Sequence, residues 1–184
     1  MIVSPKIIKL KNGREAYVRS PALSEISLIY SFISRIYDES EYMLRTPEEV
    51  KRYTVDAGRK ALEIINSSPC DCLLMCLIGD EPVGMCKVSY GHLVKIRHRG
   101  TISIGVRREY WGQGIGRKLM ELQIALAKEL SGPLQLELDY IDGNERAGNL
   151  YRSLGFTVTG RKPNAVRQPD GRLLDEYSMV LKLR

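Results

Sequence analysis

One stretch of the chain, REYWGQGIGRKLM at residues 108–120, constrains the fold more than any other. It places glycines at 112, 114 and 116, after residues with a strand pattern and before residues with a helix pattern. A strand, a glycine turn and a helix direct free backbone N–H groups and the positive end of the helix at one point, which favours phosphate binding. A structural alternative is that the glycines only let the helix pack closely on the strand.

Two common phosphate-binding motifs are excluded by the residues that follow the glycines. A P-loop needs Gly-Lys-Ser/Thr, and the sequence GIGRKL lacks it. The dinucleotide fingerprint needs a third glycine, and Arg117 and Leu119 stand where it would fall. What remains is a shorter loop in which Gly114 and Gly116 let the backbone lie against a pyrophosphate.

The rest of the chain predicts the element order ββ-αα-βββ-α-β-α-ββ, an α+β sheet covered by helices. Ser24 and Thr46 are the predicted N-caps of the first two helices. An Asn-Gly pair at 12–13 predicts a hairpin turn. The predicted elements are a hairpin over 7–19, helices over 24–37 and 47–66, two strands within 71–91, a strand over 100–106, a helix from 115 that the Gly-Pro pair at 132–133 ends, a strand over 134–140, a helix over 144–155, and strands over 156–161 and 175–183.

Composition and hydropathy favour a globular protein that is cytoplasmic and has no membrane partner. Apolar residues make up 43% of the chain and charged residues 27%, without low-complexity tracts. The longest apolar stretch, residues 72–79, is far shorter than the ~20 residues of a membrane helix. The N-terminal residues lack the apolar run of a signal peptide.

The charged and metal-ligating residues favour neither nucleic acid nor a metal. Three of the four cysteines lie in or beside an apolar strand, and the two histidines are not near them, so no zinc spacing exists. The net charge is +6, yet the excess comes from residues 87–118, with eight Lys or Arg against one acid. Four of these, Arg107, Arg108, Arg117 and Lys118, flank the glycines, and this placement favours a small anionic ligand.

Two segments together resemble the GNAT superfamily of acetyl-CoA-dependent N-acyltransferases. VRREYWGQGIGRKLM resembles its pyrophosphate signature, Arg/Gln-x-x-Gly-x-Gly/Ala, and NERAGNLYRSLGF, 28 positions after Gly116, resembles its Asn-x-x-Ala and Leu-Tyr-x-x-Leu-Gly-Phe segment. The resemblance implies a mixed, mostly antiparallel central sheet with helices on both faces, forming a single N-acetyltransferase domain over 1–184. It also implies acetyl-CoA as co-substrate, with no metal.

The resemblance assigns cofactor contacts to three parts of the chain. Strand residues would hold the pantetheine arm, loop amides the pyrophosphate, and the following helix the region near the sulfur. The implied residues are Ile104, Gly105 and Val106 in the strand, Gly112, Gln113, Gly114, Ile115, Gly116 and Arg117 in the loop, and Asn144 and Tyr151 in the helix. Plain structural roles remain open for the last two, as an N-cap and a core aromatic.

Two residues depart from what the family pattern or a helix favours. Trp111 stands where the family usually has Arg or Gln. Side-chain binding of the phosphates at this position is therefore lost, or it shifts to Arg107, Arg108 or Arg117. Gly148 sits inside a predicted helix, where glycine costs about 1 kcal/mol relative to alanine, and its role is to make room.

The implied reaction is direct attack of an amine on the thioester, within a ternary complex. Tyr151 is the candidate proton donor. Asp139 is the candidate base, directly or through a water, because it lies five residues before Asn144, where the similar ribosomal-protein N-terminal acetyltransferases place a glutamate. Glu137, on the same face of that strand, is the second candidate. Alternatively, both carboxylates are solvated groups at the edge of a strand, with no catalytic role.

The acceptor is expected to be a small-molecule amine or a peptide N-terminus. The acidic segment at 34–50 makes a cationic amine plausible, or forms an ordinary solvated helix end. A longer acyl group and a homodimer both stay open. The alternative from another functional class is a regulatory module that binds acyl-CoA without turnover.

Overall fold

The computed structural model describes the whole chain, residues 1–184, as an eight-stranded sheet with five helices. The strands are β1 (Lys6–Lys9), β2 (Glu15–Arg19), β3 (Cys72–Ile78), β4 (Glu81–Tyr90), β5 (Arg99–Val106), β6 (Gln135–Ile141), β7 (Thr157–Arg167) and β8 (Leu173–Lys182). The helices are α1 (Ile26–Glu39), α2 (Pro47–Lys51), α3 (Val55–Ser67), α4 (Ile115–Glu129) and α5 (Glu145–Ser153). The predicted order of elements is confirmed, except that the second predicted helix is two helices.

The sheet is mixed and mostly antiparallel, as predicted. Its strands lie in the order β1-β2-β3-β4-β5-β6-β8-β7. Each neighbouring pair is antiparallel except β5 and β6, which run parallel. A parallel pair needs a crossover connection, and α4 supplies it. The end of β5, the glycine loop and the start of α4 are therefore held together in the middle of the sheet.

Helices cover both faces of the sheet, which confirms the predicted α+β layering. On one face, α1 and α3 bury Phe32 and Leu62 against strand residues such as Met75. On the other, α4 and α5 bury Leu119 and Tyr151 against the opposite side of the same strands. The apolar stripes of these helices match the alternating faces of the strands.

The predicted helix over 47–66 is interrupted at residues 52–54, and that prediction was wrong. Thr46 does cap α2, because its Oγ1 accepts the Glu49 N–H at 3.3 Å. Thr54 is an N-cap in the same way, since its backbone is extended and its Oγ1 accepts the Ala57 N–H at 3.2 Å. A second N-cap inside the predicted helix therefore starts α3 as a separate helix.

Ser24 is not an N-cap, contrary to the prediction. It lies in a 3-10 turn, Leu23–Glu25, that precedes α1. The free N–H at the start of this turn, that of Ala22, donates to Glu25 Oε2 at 2.8 Å. A glutamate three residues on therefore provides the cap that the serine was expected to supply.

The cysteines are structural thiols. Cys72, Cys76 and Cys86 are buried, and burial raises the pKa of the Cys76 thiol to about 12. No group of three or more His, Cys, Asp or Glu side chains is arranged to hold a metal ion. None of the five helices combines the length and hydrophobicity needed to cross a membrane.

Candidate active site

A cleft opens where β5 and β6 separate. The two strands pair only over their first three residues, ending at Thr101 opposite Glu137, although β5 continues to Val106. Beyond that point the edge of β5 that faces β6 lacks a strand partner. This β5–β6 cleft has a volume of about 320 Å³ and is lined by 20 residues. They come from the opening hairpin, α1 and the residues after it, β5, the glycine loop and α5, and include Ile104, Gly105, Val106, Gly112, Gly114, Ile115, Gly116, Arg117, Asn144 and Tyr151.

The glycine loop closes one end of the cleft, and two of its glycines are required by backbone conformation. Gly112 and Gly114 have φ of +78° and +92°, in the left-handed region that other residues avoid. Gly114 is the N-cap of α4, and the first helical bond runs from the Lys118 N–H to its carbonyl. The N–H groups of residues 115–117 therefore remain free at the helix start, beside the cleft.

Gly116 serves packing. A Cβ at this position would lie 3.4 Å from Leu150 Cδ2 and 3.7 Å from Ile104 Cδ1, between α5 and β5. The close-packing alternative thus describes Gly116, where a Cβ would make contacts of ordinary length, and the ligand role of the loop stays a prediction. Absence of a side chain at 116 also keeps the cleft wall open to the free amides.

The opening hairpin supports the glycine loop from outside. Asn12 Nδ2 donates to Gln113 Oε1 at 2.9 Å, and the Lys11 N–H donates to the Gln113 carbonyl at 3.1 Å. Gln113 is therefore turned towards the hairpin, and it is the only predicted cofactor-binding residue absent from the cleft lining. Lys11, which sequence reasoning did not select, lines the cleft instead.

Trp111 builds the wall of the cleft. Its Nε1 donates to the Val106 carbonyl at 2.7 Å, and the Arg146 guanidinium lies over its ring at 3.7 Å from the centroid. This stacking places Arg146 beside the glycine loop, so that Lys11, Arg117 and Arg146 are the cations of the cleft. Arg146 was missed because it occupies a variable position of the Asn-x-x-Ala segment, and only the tertiary contact with Trp111 reveals it.

Arg107 and Arg108, which were expected to share the side-chain grip, are engaged elsewhere. Arg107 is only 3% exposed and forms ion pairs with Glu81 and Glu109. Arg108 bonds through its guanidinium to the Glu39 carbonyl, and its N–H donates to Glu39 Oε2 at 2.6 Å. These contacts fasten the segment before the glycine loop to β4 and α1, so of the expected arginines only Arg117 lines the cleft.

Helix α5 brings Asn144 and Tyr151 to the cleft. Asn144 caps α5, with its Oδ1 accepting the Ala147 N–H at 3.3 Å, so the plain-cap reading is confirmed at a residue that also lines the cleft. Tyr151 is 7% exposed and packs against Tyr140 and Phe156, with ring centroids 6.2 Å and 6.1 Å away. Burial raises the pKa of the Tyr151 phenol, which therefore stays protonated at neutral pH.

Gly148 makes room for an aromatic ring. A Cβ there would approach Tyr140 Cε2 at 3.1 Å. Tyr140 is itself held by stacking on Tyr177, at 5.3 Å between centroids, and by Arg152, which donates to its hydroxyl at 3.0 Å. The glycine thus lets α5 approach β6, and this contact sets the position of Tyr151 one turn later.

The two candidate bases lie on β6 but have different partners. Both point to the face covered by α1 and α3, because the alternate residues Leu136 and Leu138 pack with α4 and α5. Glu137 accepts two hydrogen bonds from Arg99, each 2.6 Å, which hold its pKa below the usual range. Asp139 is exposed and accepts only the Ser178 hydroxyl, at 2.6 Å. Neither residue lines the β5–β6 cleft itself.

The acidic segment between the first two helices is largely occupied by structural contacts. Glu39 binds Arg108, Glu41 pairs with Arg172 at 3.4 Å, and Glu49 closes the α2 cap. The solvated-helix-end interpretation therefore describes these carboxylates better than a site for a cationic amine.

Comparisons with known proteins agree with this geometry. The family model for the acetyltransferase (GNAT) family matches residues 32–156. A thialysine N-epsilon-acetyltransferase of Bos taurus is 41% identical over 83 residues, a match that covers 41% of this chain and 47% of that protein. The chain thus spans about half the length of the curated relatives it matches.

Solved structures show the same fold over most of the chain. A GNAT-family acetyltransferase from Streptococcus pneumoniae has a TM-score of 0.87 at 21% identity, covering 91% of this chain and 99% of that one. A putative acetyltransferase from Salmonella typhimurium, solved with its cofactor acetyl-CoA, has a TM-score of 0.79 at 21% identity, covering 91% and 93%.

Proposed function

The chain belongs to the acetyltransferase (GNAT) family, and we propose that it transfers the acetyl group of acetyl-CoA to a primary amine. The observation that carries this proposal is the separation of β5 from β6 directly beside the glycine loop. It opens a cleft with free strand groups on one wall and free helix amides at one end. A thioester with a pantetheine arm and a pyrophosphate fits such a cleft.

Within the proposal, the cofactor is held by backbone more than by side chains. Backbone groups of residues 104–106 in β5 exchange hydrogen bonds with the pantetheine amides, and the backbone N–H groups of residues 112–117 bind the pyrophosphate. Lys11, Arg117 and Arg146 add positive charge at the same end of the cleft. Trp111 contributes by stacking under Arg146 in place of the Arg or Gln that the family usually has.

The proposed chemistry is direct transfer in a ternary complex. The unprotonated amine attacks the thioester carbonyl carbon, and a β5 N–H group stabilises the oxyanion. The attacking nitrogen loses its proton to Asp139, directly or through a water. Collapse of the intermediate breaks the C–S bond, and Tyr151 gives its proton to the leaving sulfur.

Placement and partners favour Asp139 over Glu137 as the base. Glu137 is held by two hydrogen bonds from Arg99, whereas Asp139 has a single hydroxyl partner, Ser178. Asp139 has no ion-pair partner, so its use as the base breaks no ion pair. A weak base suits an amine with a substantial neutral fraction, such as a peptide α-amine of pKa near 8 rather than a lysine of pKa near 10.4.

A CoA-release assay tests the proposed function. The protein is incubated with acetyl-CoA and a panel of amino acids, polyamines, aminoglycosides and peptide N-termini, and the free thiol is measured. We expect thiol release with at least one acceptor, together with the acetylated amine by mass spectrometry. Tight acetyl-CoA binding without release across the panel would instead support the regulatory module that holds acyl-CoA without turnover.

A further inference from the structure

A second cavity lies beside the β5–β6 cleft, between α1, α3 and the sheet. This apolar cavity has a volume of about 440 Å³, and 15 of its 20 lining residues are hydrophobic. Its walls come from α1, α3, the segment between them and strands β3, β4 and β5, and include Phe32, Leu62 and Met85. Volumes of this size are typical of small-molecule sites in proteins.

The apolar cavity adjoins the cleft. Four residues line both: Ile36, Met43, Ile104 and Gly105. Gly105 lies at the junction, where a Cβ would approach Ile36 Cδ1 at 2.7 Å, so the absence of a side chain keeps α1 and β5 in contact there. A group beside this contact would lie between the end of a cofactor in the cleft and the contents of the cavity.

The charged groups of the cavity are cationic. Its charged lining residues are Arg45 and Lys87, and no acidic residue lines it. Neither cation takes part in an ion pair; Arg45 instead lies over the Tyr53 ring at 4.8 Å from the centroid. Lys87 stands opposite Ser103 in the β4–β5 ladder, and Ser103 also lines the cavity. Two cations without partners, beside an apolar volume, match a ligand with an apolar body and an anionic group.

We propose that the acceptor is an apolar amine that carries a carboxylate, bound in this cavity. This inference rests on the proposed function and names the substrate class of that site. The apolar group occupies the space under α1, and the carboxylate binds Lys87 and Arg45. The amine then lies beside the contact of Gly105 with Ile36, on the face of the sheet to which Asp139 also points. A polyamine or a lysine side chain would bring additional positive charge towards the two cations.

The experiment compares L-phenylalanine with L-phenylalaninamide, a matched pair that differs in the carboxylate. The value of kcat/KM for each is measured by CoA release in the wild type, in Lys87→Gln and in the control Lys95→Gln. Lys95 is exposed on the loop after β4 and lines neither cavity. Dividing the acid-to-amide ratio of the wild type by that of a variant cancels the different basicity of the two amines.

We expect the acid-to-amide ratio to fall about three- to fivefold in Lys87→Gln and to stay unchanged in Lys95→Gln, as for the loss of one exposed charge pair. Arg45→Gln should lower the ratio in the same direction, and it serves as the second variant if Lys87→Gln does not fold. Glycine, which lacks the apolar group, should be a poorer acceptor than L-phenylalanine by about tenfold or more.

Several results would overturn the inference while leaving the proposed function intact. These are an unchanged ratio in both variants, glycine as good an acceptor as L-phenylalanine, or spermidine preferred to both. Faster transfer from hexanoyl-CoA than from acetyl-CoA, without dependence on the carboxylate, would show that the cavity holds an acyl chain. Absence of CoA release with every amine would overturn the proposed function and this inference together.

Discussion

Substitution of Gly114 by alanine tests the assignment of the glycine loop most sharply. Gly114 has φ of +92°, and a Cβ there would meet only Lys11 Cγ, at an ordinary 3.7 Å. The effect of Gly114→Ala is therefore backbone strain, about 1–2 kcal/mol for a residue in the left-handed region. The opening hairpin holds the loop only through its hydrogen bonds to Gln113, and Gly112 is exposed with no close contact at its Cβ position, so the backbone around residue 114 can relax.

We expect the Gly114→Ala loop to relax in the free protein and to be strained again when coenzyme A binds. The strain then appears in the binding free energy, and the affinity for coenzyme A falls about 5–30-fold. Isothermal titration calorimetry measures the affinity, and thermal unfolding confirms that the variant is folded.

Gly171→Ala is the matched control. Gly171 has φ of +89°, has no atom within 4 Å of its Cβ position, and lies in the turn between β7 and β8. The same strain there should lower the unfolding free energy and leave the affinity for coenzyme A unchanged. If folded Gly114→Ala bound coenzyme A as tightly as the wild type, the loop would not be the pyrophosphate site.

Three further substitutions test other parts of the account. Tyr151→Phe keeps the ring but removes the phenolic proton, so kcat should fall about 100-fold with little change in KM for acetyl-CoA. A kcat within about threefold of the wild-type value would instead make Tyr151 a core aromatic. Asp139→Asn should remove the acidic-limb ionisation from the pH profile of kcat/KM and leave the affinity for acetyl-CoA unchanged. If the profile changed only in Glu137→Gln, Glu137 would be the base. Gly148→Ala should lower the melting temperature, because the added Cβ would press on the Tyr140 ring, which is fixed by its own contacts. Helix propensity alone predicts the opposite, a gain of about 1 kcal/mol in unfolding free energy, and such a gain would show that the ring moves aside.

The order of strands and helices was predictable because each element carries its own local pattern. The glycine loop was predictable for the same reason, since a strand, a turn and a helix start lie within a few residues. The break at 52–54 was missed because Thr54 acts as a cap through one hydrogen bond, and such a residue is also tolerated inside a helix. The Ser24 error has the same local origin, with Glu25 supplying the cap instead.

The side chains of the site were less predictable because they meet only in the folded chain. Lys11 reaches the cleft from a hairpin turn about 100 residues before the glycine loop, and Arg146 reaches it through stacking on Trp111. Arg107 is a cation close to the glycine loop in sequence, as a phosphate ligand would be, yet its side chain is buried among carboxylates. The apolar cavity is built by helices and strands that share no continuous motif, so the sequence did not reveal it.

An initial-velocity study tests the central claim most directly. The rate of CoA-thiol release is measured while acetyl-CoA and an accepted amine are both varied. Direct transfer in the β5–β6 cleft predicts no release without amine and double-reciprocal lines that intersect, because both substrates must be bound before the C–S bond breaks. Parallel lines with an acetylated enzyme, or binding of acetyl-CoA with no release at any amine concentration, would contradict the account.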